Sequence, residues 1–308
     1  MKVQSARRLG LALLVAGITC VPLTWALPWL AAPSEPPLRP EMVLVLEQPT
    51  TFVMGSPETE EGRDDDEAQR QITLTRPFLI ARTEVTQAQY AAVMGSNPSC
   101  SEYEGVSLID PDYPVQCLSW LDAVAYCNRL SELEGLGAAY VVKGEEVQWN
   151  REAKGYRLPT EAEWEFAARA GGEEVYAGTS TPEEVCDFGN VRDRSYAAVI
   201  GSTSVALVGL DSLACDDYAA GLAKVRSYSP NRWFLYDMTG NVWEWTWDWY
   251  EPNPTETQDP DGPGSGSNRV DRGGSWWGNP ANARVAIRDR SNPSGRGYNR
   301  GFRPARSL

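Results

Sequence analysis

Apolar and polar positions follow a helical period over three stretches of this chain. Each stretch begins with a capping box, in which a Ser or Thr and the polar residue three positions later accept hydrogen bonds from each other's backbone N–H groups. In the second stretch the apolar residues Leu121, Val124 and Leu130 share one helical face, and Gly135 follows as a stop signal. The predicted helices occupy residues 86–94, 119–134 and 160–170.

Strand signals are short and lie between turns, at residues 42–46, 71–74, 78–81 and 243–249. Most of the remaining sequence is rich in Gly, Pro, Asn and Asp, which favour turns and loops. We interpret the acidic stretch at residues 58–67 as a solvated loop. The pattern predicts one α+β domain with much irregular structure, which disulfides, bound ions or buried tryptophans must hold together.

The last strand candidate carries a tryptophan at every second position. These tryptophans are Trp243, Trp245, Trp247 and Trp249. Since side chains two residues apart point to the same face of a strand, the four predict an aromatic stripe. A stripe of this kind is more often core packing than a platform for a ligand, and both interpretations stay open at this stage.

Residues 1–32 have the pattern of an export signal, because basic residues precede a long apolar stretch. Cleavage after Ala26 or near Ala31 fits a signal peptide. The alternative is an uncleaved signal anchor, since the apolar stretch nearly reaches the length that spans a bilayer. Either alternative places the folded part outside the cytoplasm, in the periplasm or the extracellular space. A Pro-rich linker at residues 33–41 and a folded domain at residues 42–306 follow.

Composition and charge exclude several classes of function. The chain has 28 Lys+Arg against 42 Asp+Glu, a formal net charge of −14, which argues against nucleic acid as a partner. A membrane partner is expected only if the N-terminal segment stays uncleaved. The chain has no histidine, which excludes Ser-His-Asp and Cys-His catalysis and histidine-bound metals.

Five cysteines follow the predicted signal, and an exported protein sits where disulfides persist. Two pairs are close in sequence, and each would close a short loop: Cys100 with Cys117, and Cys186 with Cys215. This pairing leaves Cys127 free. Because Cys127 lies in an apolar helical stretch, we expect a buried small side chain rather than a reactive thiol.

Six segments occur in a characteristic order: FVMGS (52–56), TEVT (83–86), YRLPTEAEWE (156–165), LYDMTGNVWEW (235–245), RGGSW (272–276) and GFR (301–303). In this order and spacing the chain resembles the formylglycine-generating enzyme (sulfatase-modifying factor) domain family. The resemblance covers about residues 42–306. It implies a single α+β domain related to C-type lectins and rich in irregular structure, which agrees with the pattern above.

The resemblance implies two calcium ions, because the chain keeps residues at the family's ligand positions. In the first set, Asn190 and Asp217 would offer side-chain oxygens, and Val191 and Ala219 would offer backbone carbonyls. Calcium is a hard cation that takes six to eight oxygen ligands, so these groups suit it.

In the second implied calcium set, Asp237 and Glu244 would offer carboxylates, and Gly240 and Val242 would offer carbonyls. The simpler interpretation is that Asn190 and Asp237 only cap turns. Loss of thermal stability on calcium removal would distinguish the two interpretations.

The resemblance fails at the catalytic centre. The family's enzyme binds copper with two cysteines that lie five residues apart after the Gly-Gly-Ser motif, and soft sulfur ligands suit Cu(I). Those positions are Gly278 and Ala283 here. No cysteine follows Cys215 in the sequence, so a shifted alignment does not supply the missing ligands. We therefore expect neither copper nor copper-dependent formylglycine formation.

Residues that match or neighbour the family's substrate cleft are still present. They are Asn241, Trp243, Ser275, Trp276, Trp277, Arg284 and Arg288. Tryptophans in such a cleft would line a groove for a peptide or a glycan, and the arginines would pair with carboxylates of the ligand.

Two functions compete. The first is an exported, calcium-stabilised binding or assembly module without catalysis, whose partner is an exported peptide, protein or glycan. The alternative is an oxidoreductase, which oxidises a cysteine of a sulfatase or matures a secreted peptide. Whether the protein is an enzyme stays open at this stage, because the scaffold resembles an oxidase whose two copper ligands are replaced.

Overall fold

The computed structural model describes residues 39–199 and 215–308. The predicted signal and most of the linker lie outside the described residues. The helices of the described part are α1 (Gln87–Met94), α2 (Trp120–Leu133), α3 (Glu161–Arg169), α4 (Val185–Phe188) and α5 (Arg194–Val199), with 3₁₀ turns at Pro182–Glu184 and Pro280–Ala283. None of the described helices is long and apolar enough to cross a membrane.

The strands of the described part are short. They are β1 (Met42–Leu46), β2 (Thr50–Met54), β3 (Arg70–Leu74), β4 (Phe78–Ala81), β5 (Glu102–Tyr103), β6 (Val106–Ser107), β7 (Tyr140–Lys143), β8 (Glu146–Trp149), β9 (Tyr156–Arg157), β10 (Trp243–Trp249), β11 (Arg269–Arg272), β12 (Asp289–Ser291), β13 (Arg300–Gly301) and β14 (Ala305–Ser307). The fold is mixed α+β with much irregular structure, as the sequence predicts.

The three predicted helices are confirmed, and their caps explain where they begin. Thr86, Ser119 and Thr160 each accept a hydrogen bond from the backbone N–H three residues later, and the side chain of that later residue accepts from the cap's own N–H. Each box satisfies two N–H groups that a helix start otherwise leaves without partners. Local sequence therefore fixes these three boundaries.

One four-stranded sheet, in the order β1-β4-β14-β9, joins the two ends of the domain. All of its pairings are antiparallel, with Met42 opposite Ala81 and with Ala305 between Ile80 and Arg157. The C-terminal strand β14 thus lies inside the sheet, between β4 and β9. The two- and three-residue strands β9 and β14 were not predicted, because they are too short to show a period.

The second four-stranded sheet, in the order β12-β11-β10-β13, is built around the tryptophan strand β10. Trp245 is 0% exposed and belongs to the largest core cluster, and Trp247 packs against the same cluster. The alternate residues Glu244, Thr246 and Asp248 are buried as well. Strand β10 is therefore enclosed on both faces, and its tryptophan stripe contributes mainly to the core.

Two disulfides hold the loops, with the predicted pairing. Cys100 bonds to Cys117 and Cys186 bonds to Cys215, with Cα–Cα distances of 5.7 and 5.8 Å. Cys127 is free, lies on α2 and is fully buried in the core. Burial raises the pKa of the Cys127 thiol, so the thiolate does not form near neutral pH. This agrees with the prediction of an inert buried cysteine.

The prediction that the acidic stretch 58–67 is a solvated loop is wrong for one residue, Glu67. Most of its residues are solvated, but Glu67 is 1% exposed. The Glu67 carboxylate accepts hydrogen bonds from the Arg284 guanidinium at 2.6 and 2.8 Å and from the Ser56 hydroxyl at 2.7 Å. Pairing with Arg284, which is distant in sequence, therefore stabilises Glu67 in the interior. No local sequence pattern reveals this pairing.

Candidate calcium sites and ligand face

The first predicted calcium set lies together around the Asp217 carboxylate. The Val191 N–H donates to Asp217 Oδ2 at 2.9 Å, and the Ala219 N–H donates to Asp217 Oδ1 at 2.8 Å. Asn190 is fully buried, and its Nδ2 donates to the Gly221 carbonyl at 2.8 Å. The Asn190 Oδ1 atom has no hydrogen-bond partner among the described residues. A buried oxygen of this kind costs free energy unless a ligand, an ion or a water satisfies it.

Asp193 adds a second carboxylate at this site, and sequence reasoning missed it. Asp193 is 0% exposed and accepts a hydrogen bond from the Asp217 N–H. Burial, followed by the neighbouring Asp193 charge, raises the pKa of Asp217 to about 8. An oxygen of Asp193 and an oxygen of Asp217 lie within 4.8 Å of each other. Two buried carboxylates this close repel each other unless a proton or a cation lies between them.

The second predicted set lies on the turn that enters β10. Asp237 is 2% exposed, has a left-handed φ of 57°, and accepts the Arg226 N–H on Oδ2 at 2.9 Å. Its Oδ1 has no hydrogen-bond partner within the described part of the chain. Glu244 accepts two bonds from the Arg303 guanidinium, both at 2.7 Å, and one from Trp164 Nε1 at 2.8 Å.

Glu84 brings a third carboxylate to the second set, again from a distant segment. Its oxygens accept the Val242 N–H at 3.1 Å and Asn241 Nδ2 at 2.8 Å, and the side chain is fully buried. Burial, and then the charges of Asp237 and Glu244, raise the pKa of Glu84 well above its ordinary value. Of these three buried carboxylates, Glu244 pairs with the Arg303 guanidinium, and the charges of Asp237 and Glu244 favour the protonated form of Glu84.

A backbone crossing joins the two sets. The Asn241 N–H donates to the Asn190 carbonyl at 2.7 Å, and the Asn190 amide donates to the Asn241 side-chain oxygen at 3.1 Å. A Cβ atom at Gly240 would lie 1.9 Å from the Asn190 carbonyl oxygen, so only glycine fits there. We therefore expect that a cation bound at one set also stabilises the backbone conformation of the other set.

The donor atoms of both sets suit calcium, and in the first set oxygens of Asp193 and Asp217 also lie within 4.8 Å of each other. They are oxygen donors, they include buried carboxylates, and each set holds one oxygen without a hydrogen-bond partner among the described residues, Asn190 Oδ1 in the first set and Asp237 Oδ1 in the second. Turn capping alone does not explain those two atoms.

The positions of the family's copper ligands are structural here. The Gly278 carbonyl accepts the Arg192 N–H at 2.8 Å, and Ala283 is 1% exposed. Gly278 and Ala283, at the positions where the resemblance implies copper ligands, carry a hydrogen atom and a methyl group. Neither side chain offers a metal ligand.

Four of the predicted cleft residues lie together but are buried. The Trp276 N–H donates to the Asn241 carbonyl at 3.0 Å, which joins two of the predicted segments. The Trp243 N–H donates to the Asn299 carbonyl at 2.9 Å, and the Asn299 amide reaches Ser275 Oγ at 3.4 Å. Asn241, Trp243, Ser275 and Trp276 are each at most 5% exposed, so they support a surface rather than form it.

Trp277 reaches that surface. It is 39% exposed, and its Nε1 donates to the Tyr103 hydroxyl at 3.2 Å. Tyr103 and Tyr298 have ring centroids 4.3 Å apart, and both rings pack against the buried Trp276. We call Tyr103, Trp277 and Tyr298 the ligand face. It combines partly exposed rings with hydroxyl and indole hydrogen-bonding groups. The two tyrosines were not predicted.

The two predicted cleft arginines pair inside the protein. Arg284 is 1% exposed and bonds to Glu67 and to Glu60. Arg288 holds both carboxylate oxygens of Glu161, at 2.6 and 2.9 Å. We therefore assign both arginines a structural role and leave them out of the ligand face.

The sulfatase-modifying factor enzyme 1-like domain matches residues 30–308 of this chain. The chain belongs to this family. The match confirms the resemblance and gives the six segments a common explanation.

The relatives of the chain include proteins described as chaperone, enzyme and inactive enzyme. The chain is 30% identical over 257 residues to the chaperone protein LppX of Paenibacillus barcinonensis, over 77% of this chain and 82% of that protein. It is 33% identical over 156 residues to the formylglycine-generating enzyme of Thermomonospora curvata, over 50% of this chain and 40% of that enzyme. It is 30% identical over 292 residues to inactive C-alpha-formylglycine-generating enzyme 2 of Mus musculus, over 83% of each.

A solved structure agrees on the fold. Treponema denticola variable protein 1 superposes with a TM-score of 0.71 at 29% identity, over 87% of this chain and 95% of that one. The family's domain fold is therefore shown for this chain.

Proposed function

We propose that this protein is an exported, calcium-stabilised binding or assembly module that does not form formylglycine. The proposal rests on two buried sets of oxygen donors, each with one oxygen that lacks a hydrogen-bond partner among the described residues, and on Gly278 and Ala283 at the positions where the resemblance implies copper ligands. Calcium would be held by Asn190, Val191, Asp217 and Ala219 at the first site. It would be held by Asp237, Gly240, Val242 and Glu244 at the second.

The ligand face is where we expect a partner to bind. Partly exposed aromatic rings with hydrogen-bonding edges suit extended peptides and sugar rings, because both present flat apolar surfaces beside polar groups. The buried segments beneath hold these rings in place, so little conformational entropy is lost on binding. An exported peptide, protein or glycan is the partner class that we propose.

Two of the relatives support a function without redox chemistry, whereas the Thermomonospora curvata relative is described as an enzyme. The alignment covers 82% of a homologue that is described as a chaperone protein. It covers 83% of another that is described as an inactive C-alpha-formylglycine-generating enzyme. A binding role for this chain would be of the same kind.

The alternative oxidoreductase would need a redox metal, and the described residues offer poor ligands for one. Among them, the cluster of Cys, Asp and Glu side chains close enough to hold a metal is Cys186, Asp193 and Asp217. Cys186 is in a disulfide, so its sulfur is not a thiolate ligand. The remaining oxygens suit calcium better than copper.

A direct test separates the two functions. The protein is incubated with copper, oxygen and a peptide with a Cys-x-Pro-x-Arg core, and the peptide mass is measured. We expect an unchanged cysteine; an aldehyde product would overturn the proposal.

Binding is tested on arrays of extended peptides and oligosaccharides. The wild type should bind, and Trp277→Ala should lose at least tenfold in affinity. Phe234→Ala is the matched control, because Phe234 is a 62% exposed aromatic residue outside the ligand face. Equal loss in both variants, or no binding by the wild type, would contradict a specific ligand face.

A further inference from the structure

We propose that Asp193 is an additional ligand of the first calcium ion, beyond the residues that the family's pattern supplies. This inference rests on the proposed calcium binding. It makes the first site a two-carboxylate site, in which Asp193 and Asp217 together balance the charge of one divalent cation.

The distance between the carboxylates supports a shared ion. An oxygen of Asp193 and an oxygen of Asp217 lie within 4.8 Å of each other. Calcium binds oxygens at about 2.3–2.6 Å, so two oxygens on one ion lie at most about 5 Å apart. Both side chains are buried, at 0% and 5% exposure, so water screens their repulsion poorly.

A second, independent observation points to a ligand here. Asn190 is 0% exposed, and its Oδ1 lacks a hydrogen-bond partner among the described residues. The next residue, Val191, donates its N–H to Asp217, so the unsatisfied oxygen belongs to the segment that meets the carboxylate pair. Asn190 therefore offers a third side-chain oxygen that a cation would satisfy.

Asp193 also has an ordinary structural role, which the test must separate from metal binding. It precedes α5, and its Oδ1 accepts the Tyr196 N–H at 3.1 Å, as a helix N-cap does. Its Oδ2 accepts the Asp217 N–H. Each carboxylate oxygen has two lone pairs, so Oδ2 can accept this bond and still bind a cation.

The discriminating variant is Asp193→Asn. Asparagine is as good an N-cap as aspartate, but it removes the negative charge and, with one oxygen, also the bond from the Asp217 N–H, and the melting temperature of the calcium-free variant measures that structural loss separately. Asp193→Ser is the second variant, since serine also caps and carries no charge. Asp112→Asn is the matched control, because Asp112 pairs with Lys224 on the surface.

Calcium binding is measured by isothermal titration on the folded protein after the metal is removed and the chelator is dialysed away. We expect two sites in the wild type and in Asp112→Asn. We expect one site weakened tenfold or more in Asp193→Asn and Asp193→Ser.

The outcomes separate the two claims. Two wild-type sites with unchanged affinities in both Asp193 variants would overturn the role of Asp193 and leave the proposed function standing. No calcium binding by the wild type would overturn both. If Asp193→Asn unfolds without metal, binding by Asp193→Ser decides, and recovery of wild-type affinity there would also overturn the inference.

Discussion

Chelation of calcium should lower the melting temperature of this protein by about 9 °C. Without the ions, Asp193 repels Asp217 at the first site, and Glu84 repels Asp237 at the second, all in buried positions. An ion present at a hundred times its dissociation constant stabilises the folded state by about 2.7 kcal/mol, so two ions contribute about 5 kcal/mol.

The expected shift follows from the size of the domain. The folded part, about residues 39–308, has an unfolding entropy of roughly 0.6 kcal/mol/K, at about 2.1 cal/mol/K per residue. Dividing about 5 kcal/mol by this entropy gives a shift of about 9 °C.

Differential scanning calorimetry with and without EDTA checks the shift, and added calcium should restore the melting temperature. Magnesium should restore less, since it demands octahedral geometry and retains its waters. A melting temperature that EDTA leaves unchanged within about 1 °C would refute the reasoning, because no ion would then neutralise the buried carboxylates.

Further predictions concern single residues. Trp245→Ala should lower the free energy of unfolding, measured in urea, by about 3–5 kcal/mol, because the Trp245 side chain is 0% exposed in the core. Trp277→Ala should lower it by less than about 1 kcal/mol. Equal losses in the two variants would contradict the assignment of Trp245 to the core and Trp277 to the ligand face. Arg303→Met should cost about 3–5 kcal/mol in calcium-free buffer, because it leaves Glu244 buried without its guanidinium partner; a neutral effect would show that the carboxylates are not charged. Burial, and then the charge of Glu161, raise the pKa of Asp248 from 3.8 to about 8, so the stability that this group contributes is complete below pH 4 and is lost as the pH rises through 8. The Asp248→Asn variant keeps an oxygen that accepts the Glu161 N–H, a bond of 2.7 Å in the wild type. We therefore expect the variant to be more stable than the wild type by about 2 kcal/mol or more at pH 9, and by less at pH 5. A gain in stability that does not depend on pH would contradict the raised pKa of Asp248.

Features with a local cause were predictable from the sequence. Capping boxes at Thr86, Ser119 and Thr160 gave the helix starts, because the bonds that form a cap join residues only three positions apart. The strand Trp243–Trp249 was also predicted, since its alternation extends over seven residues.

Features that depend on distant segments were not predictable. Strand β13 has two residues and exists only through its parallel pairing with Trp243 and Glu244. Glu84 reaches the second calcium set from 158 positions away. Tertiary structure also decides that Arg284 pairs with Glu67 rather than with a ligand.

The candidate site was predicted unevenly for the same reason. The second calcium set lies almost entirely within the segment Asp237–Glu244, so one sequence motif was enough to predict it. The first set needs residues from two segments, and Asp193 lies outside the ligand positions that the resemblance implies. Burial also corrected the proposed cleft, because a sequence match at Trp276 does not reveal that Tyr103 and Tyr298 cover it.

Metal content of the protein, purified without chelator and measured by mass spectrometry, tests the central claim most directly. The account predicts about two calcium ions per chain and neither copper nor iron in stoichiometric amount. About one copper or iron ion per chain would contradict a calcium-stabilised module without redox chemistry, and would favour the oxidoreductase function instead.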